Sequence, residues 1–153
     1  MKLIKLVAVF LIINFGALAI GVWLMDNGPQ TNWYLQLNKA PWTPPGWVFG
    51  AAWSIIMVCF SSYMAYLFLQ LVTTKKKILF TVQFILNVSW NFIFFNQHLI
   101  AFGLVVILTL TSVIAIFLLD YLKTMKFKTV LIMPYFLWLC IATSLNLYIL
   151  FYN

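Results

Sequence analysis

Arginine and glutamate are absent from this chain of 153 residues, and aspartate occurs only at positions 26 and 120. With nine lysines, charged residues make up 7% of the sequence, against roughly 25% in a soluble domain. Eleven charges cannot cover a chain of this length in water, so a soluble globule is excluded. A net charge of +7 carried by so few, dispersed lysines also argues against a nucleic-acid partner. The only histidine, His98, has no second donor nearby in sequence to share a metal or haem with. Cys59 and Cys140 lie in separate apolar stretches without metal-ligand or CxxC spacing. Neither aspartate has a carboxylate partner for acid–base chemistry, and no phosphate-binding or dinucleotide loop is present. The long apolar stretches hold no carboxylate of the kind that ion and proton pumps use.

What is present is apolar and aromatic: 65% hydrophobic residues and 19% Phe, Trp and Tyr. The positions of the few charges divide this material into membrane spans. Twenty uncharged residues separate Lys5 from Asp26, about the ~20 that cross a bilayer core. The uncharged run from Ala40 to Thr74 opens on Pro41, Pro44 and Pro45, so its spanning part begins near Pro45. The run from Ile78 to Leu119 has 42 residues, roughly twice a bilayer as one helix, and must break at its polar cluster Asn96-Gln97-His98. The sequence therefore predicts an all-α membrane protein, one domain over 1–153, built as a bundle of five transmembrane helices. The expected spans are 4–25, 45–72, 78–96, 100–122 and 129–151, with a loop over 26–44. Five spans put every lysine group except Lys39 on one side, which the positive-inside rule assigns to the cytoplasm. That predicts the N-terminus inside and the C-terminus outside. Ala17-Leu18-Ala19 resembles a signal-peptidase site, but the apolar run continues through Met25 and reads as a first helix.

The loop over 26–44 is the one long connection, and long ordered loops often act as lids. Its tryptophans and tyrosine equally suit an interfacial belt. Thr43 and Pro44 read as a helix cap and first helical residue. In the third span Gln83, Asn87, Asn91 and Phe94 recur at helical spacing on one face. Such amides serve either as glue between helices or as the polar groups of a ligand pocket. In the fifth span Tyr135, Trp138, Ala142 and Asn146 share a face, with Pro134 expected to free a backbone carbonyl. In the second span Trp53 and Met57 stand one turn apart. Gly46, Gly50 and Ser54, and separately Ala17 and Gly21, are small-residue steps that favour close helix contact within or between protomers. A common interior of aromatic rings and amides suits a large, flat, mostly apolar ligand.

Two stretches carry a family resemblance. Trp33-Tyr34, the run Lys39-Ala40-Pro41-Trp42-Thr43-Pro44-Pro45-Gly46-Trp47-Val48-Phe49-Gly50 and Trp53 resemble the first loop and second helix of the TspO/MBR family. Pro134 to Trp138, Ala142-Thr143 and Leu145-Asn146 are similar to its fifth helix, and Leu86-Asn87, Trp90 and Ile93-Phe94-Phe95 to its third. The resemblance implies a five-helix bundle, usually a homodimer, with a pocket under the first loop that binds protoporphyrin IX-like tetrapyrroles and other flat apolar molecules. No cofactor is required; the porphyrin is the ligand. It also implies Trp53, Asn87, Asn91, Phe94, Trp138 and Ala142 at the pocket wall, with Tyr34 and Trp42 in the lid. The expected function is a tetrapyrrole-binding membrane sensor or transporter. The alternatives are light-dependent oxidative porphyrin degradation with Trp53 and Trp138 as relays, or a structural or regulatory subunit. Two departures limit the resemblance. Leu104-Val105-Val106 stands where many relatives carry an acidic residue, and no basic residue follows Leu147 and Tyr148 to complete a sterol-recognition pattern. The missing basic tail points to a bacterial cytoplasmic membrane.

Overall fold

A computed structural model describes residues 1–153 and contains helices and no strands. Six α-helices follow in order: α1 (Lys2–Met25), α2 (Asn32–Gln36), α3 (Gly46–Phe68), α4 (Thr74–Asn91), α5 (Ile100–Met125) and α6 (Met133–Tyr152). All but the five-residue α2 are long and apolar enough to cross a membrane. The protein is a bundle of five membrane-spanning helices, as the charge-free runs predict. Around the bundle the neighbours run α3, α1, α4, α5, α6, with a sparser contact closing α6 against α3.

Several ends differ from expectation, each for a local reason. Helix α3 stops at Phe68 rather than 72. Helix α4 starts at Thr74, ahead of Lys75-Lys76-Lys77, because the Thr73 hydroxyl accepts a hydrogen bond from the Lys76 backbone N–H. Lysines are unfavourable at a helix N-terminus. Lys76 escapes by reaching back, its Nζ donating to the Leu67 and Leu71 carbonyls at 3.2 and 2.8 Å, where α3 ends. Helix α5 continues past Asp120, whose carboxylate pairs with Lys75 at 2.6 Å, and ends at Met125 before a 3₁₀ segment over Lys126–Leu131. Helix α6 consequently begins at Met133, with Pro134 in its first turn. There the missing N–H would be unpaired in any case, so Pro134 starts the helix and frees no interior carbonyl. Thr43 does not cap α3 either: the helix opens at Gly46 after Pro45, with no side-chain cap. The break at Asn96-Gln97-His98 is where expected. Helix α4 widens into a π-helical turn over Phe92–Asn96, the Gln97 N–H donates to the Phe92 carbonyl at 2.9 Å, and His98 turns with φ 57°.

The half of the bundle that carries the lysines is densely packed. Phe60 is fully buried, with the rings of Tyr63, Phe80, Phe117 and Tyr135 centred 5.2–6.4 Å from its own. Several polar groups there are paired between helices, although Gln83 Oε1 and Thr129 Oγ1 are buried without a partner. Asn14 Nδ2 donates to Ser61 Oγ at 2.8 Å, Tyr63 Oη to the Phe117 carbonyl at 2.9 Å, and Gln83 Nε2 to Tyr135 Oη at 2.9 Å. Gln83 thus works as interhelical glue. Ala17 is buried, and a Cβ on Gly21 would lie 2.6 Å from Asn91 Nδ2, a side-chain tip that would have to shift for α1 to keep its approach to α4. Gly46 and Gly50 are different. A Cβ on either meets nothing within 4 Å, and both border the cavity described next.

Candidate ligand pocket

The lid is assembled from residues with specific turn chemistry. Asn27 adopts φ 55°, a conformation that asparagine tolerates, and Gly28 lies so close to Phe95 that an added Cβ would stand 2.5 Å from the phenylalanine Cβ. Thr31 caps α2, its hydroxyl accepting from the Tyr34 N–H and donating to the Gly28 carbonyl. Helix α2 then lays two aromatics on the end of α4. Trp33 stacks on the His98 ring at 4.0 Å and Tyr34 meets Phe95 at 5.2 Å. The other half of the lid is held by α6. The Asn38 N–H donates to Asn153 Oδ1 at 2.8 Å and Asn38 Nδ2 to the Tyr152 carbonyl at 2.9 Å. Trp42 Nε1 donates to Ser144 Oγ at 3.2 Å while its ring meets Tyr148 edge-on.

Beneath this lid lies a cavity of about 570 Å³. That falls within the roughly 300–1,000 Å³ typical of small-molecule sites. Four helices wall it. Helix α1 gives Ala17, Leu18 and Val22, and α3 gives Phe49, Gly50 and Trp53. Helix α4 and its π turn supply Asn87, Trp90, Asn91, Phe94 and Phe95, and α6 supplies Ala142, Leu145, Asn146 and Ile149. Tyr34, Lys39 and Pro44 border it from the lid. The aromatic wall is ordered: Trp90 and Phe94 stack at 5.0 Å, and Phe95 stands edge-on to both. Burial pushes the Tyr34 hydroxyl above its usual pKa.

The structure brings six of the nine sequence-predicted site residues to this one cavity: Tyr34, Trp53, Asn87, Asn91, Phe94 and Ala142. The other three lie off its wall. Met57 is fully buried one turn below Trp53, in the packed core. Trp138 is one turn deeper than Ala142 and is covered edge-on by Phe49 at 5.4 Å. Trp42 belongs to the lid, but its ring turns outward onto α6. Of the α1 residues at the wall, Ala17 is legible only as part of a small-residue step, and Leu18 and Val22 carry no signal. Phe49, Trp90, Lys39 and Asn146 also fall outside the predicted set, although Trp90 and Asn146 are legible as polar-capable residues inside spans.

Asn146 is the wall residue whose chemistry is least satisfied. It is 2% accessible, and neither Nδ2 nor Oδ1 has a hydrogen-bond partner in the protein. Trp90 Nε1 is also buried without a partner. Buried polar groups in a membrane interior are normally paired, because each unsatisfied one carries a desolvation penalty. Here two cavity-wall side chains retain unused donors and an unused acceptor. No cluster of His, Cys, Asp or Glu suitable for a metal exists. The cavity wall presents rings and amides, with Tyr34 and Lys39 at its rim.

These features define a multi-pass membrane protein with a lidded, aromatic-walled pocket between its helices. The model of the TspO/MBR family matches residues 7–152, and the chain belongs to that family. Among curated relatives it is 32% identical over 132 residues to the tryptophan-rich protein TspO of Chlorobaculum tepidum, covering 82% of each chain. It is 31% identical to the protein of the same name from Archaeoglobus fulgidus, covering 100% of this chain and 99% of the relative. To the human translocator protein it is 30% identical, covering 78% of this chain and 74% of the human one.

Proposed function

We propose that the protein binds a tetrapyrrole of the protoporphyrin IX type in the lidded cavity and acts as a membrane sensor or transporter for it. The observation that carries this reading is the wall itself: aromatic rings on several sides and a buried amide, Asn146, with both polar atoms unused. A flat macrocycle gains from stacking on Trp53, Trp90 and Phe94. Its polar edges supply the partners that Asn146 and Trp90 lack. The proposed orientation places the lysine-rich end in the cytoplasm, following the positive-inside rule, and the lid on the outer side.

Titration of the purified protein with protoporphyrin IX, followed by tryptophan fluorescence, tests this. Saturable quenching that weakens at least tenfold in Trp53→Ala together with Asn146→Leu is expected. Trp138→Phe, behind Phe49, should change affinity less than that double substitution. Quenching that rises without saturation, or is indifferent to the cavity substitutions, overturns the assignment.

A further inference from the structure

The lysine-rich end carries a second concavity, remote from the lidded cavity. It is an open cleft of about 580 Å³ between the α3–α4 turn and the last turns of α5. Both signs of charge face it. Lys75 pairs with Asp120 at 2.6 Å, the one ion pair of the chain, and the two side chains are 61% and 40% accessible. A pair so exposed is worth little, so its members can exchange partners at small cost. Lys76 is different. It is 5% accessible and held at the cleft by the Leu67 and Leu71 carbonyls, with its Nζ 5.4 Å from the centre of the Tyr121 ring. An ammonium has three donors, so one of Lys76 remains unused, and no carboxylate pairs with it. Thr73 caps α4 here, which sets three consecutive lysines on the positive end of a helix. An anion in the cleft would offset that repulsion. Leu71, also on the cleft wall, is 83% accessible and forms an apolar lip between two spanning helices.

We propose that this cleft binds a phospholipid headgroup carrying a primary ammonium, of the phosphoethanolamine type. The phosphate takes Lys75 and the unused donor of Lys76, and the ammonium takes Asp120. Each member of the exposed ion pair thereby exchanges its neighbour for the opposite charge of the headgroup, and none is left unanswered. A headgroup that is only anionic would occupy Lys75 and strip Asp120 of its cation. A choline headgroup has the right charges but no N–H to donate to the carboxylate. The apolar lip at Leu71 suits the acyl side of a lipid, which a soluble phosphate ester lacks. The inference is independent of what the lidded cavity binds.

The test titrates the detergent-solubilised protein with phosphatidylethanolamine, phosphatidylcholine and phosphatidylglycerol of identical acyl chains and counts bound lipid by native mass spectrometry. Wild-type protein should retain phosphatidylethanolamine about fivefold better than phosphatidylcholine, the gain from one partly exposed charged contact. Asp120→Asn should erase that preference. Lys75→Gln should weaken retention of all three lipids. Both side chains are exposed, and unchanged helical circular dichroism verifies that the variants fold. Lys5→Gln, at the same end but outside the cleft, should leave the preference intact. Equal retention of the ethanolamine and choline lipids by the wild type overturns the inference. A preference that survives Asp120→Asn places the lipid elsewhere and overturns it too. So does strongest retention of phosphatidylglycerol by the wild type, which would reduce the lysines to a general attraction for anionic lipid. If soluble phosphoethanolamine displaces the lipid mole for mole, the cleft reads a free phosphate ester and the lipid assignment falls.

Discussion

The two ends of the bundle solve opposite problems with the same residue types. At the lysine-rich end aromatic rings close on one another: Phe60 is enclosed by four rings, and Gln83, Tyr63 and Asn14 each commit polar atoms to another helix. At the lid end Trp53, Trp90 and Phe94 face a cavity, and Asn146 has no partner at all. Gln83 and Asn87 are four residues apart on one helical face, yet one is paired glue and the other a cavity wall. Polarity inside the membrane thus has two uses, and depth along the helix decides between them. Close packing is concentrated at one end and the cavity at the other.

Substitutions can break or sharpen this division. The largest effect is expected for Phe60→Ala. Removing a fully buried ring should destabilise the protein by about 3–5 kcal/mol and lower the thermal unfolding midpoint in detergent sharply. Gly28→Ala comes next. Its Cβ would collide with the Cβ of Phe95, which cannot swing aside as a side-chain tip could. The cost, about 1–3 kcal/mol, should fall on docking of the lid. Faster proteolysis within residues 26–44 with a nearly unchanged core midpoint is the expected signature. Asn146→Leu should act in the other direction. It removes two unpaired polar atoms from an apolar setting and should leave stability unchanged or raise it by about 1 kcal/mol, while lowering porphyrin affinity. A clear loss of stability in that variant would mean that Asn146 is structural and would erase the contrast between the two ends. The smallest effect belongs to Gln83→Leu. Hydrogen bonds between membrane helices average about 0.6 kcal/mol, so its midpoint should shift slightly and its ligand affinity not at all.

The five-helix architecture was legible because lipid leaves few options: charge-free runs of spanning length must be helices, and Asn96-Gln97-His98 was the one polar place for the longest run to turn. The helical faces were legible too, since Asn87, Asn91 and Phe94 do meet Trp53, Ala142 and Tyr34 around one cavity. Depth was not. Periodicity gives the direction in which a side chain points and says nothing of where along the axis a neighbour fills the space. Met57 and Trp138 share faces with cavity residues but lie a turn beyond its floor, closed off by the Phe60 cluster and by Phe49. Pro134 and Thr43 illustrate a second limit. Their chemistry as helix starters was readable, but which turn they occupy depended on the preceding segments, the 3₁₀ stretch over Lys126–Leu131 and the Pro44-Pro45 pair. The contribution of α1 to the wall was legible only as the small-residue step at Ala17, because Leu18 and Val22 look the same facing a pocket as facing lipid.

The π turn over Phe92–Asn96 can be understood as a phase shift written into the backbone. An α-helix that places Phe94 on the face of Trp90 would send the next residue well around the cylinder. The wider turn delays that rotation, so Phe94 and Phe95 both turn inward, one to the cavity beside Trp90 and the other also beneath Gly28 and Tyr34 of the lid. A single surplus residue thereby supplies both the wall and the seat of its cover. The length of this segment is consequently a tuned quantity. Shortening it by one residue would rewind a regular helix without removing any ring, yet wall and cover would fall out of step.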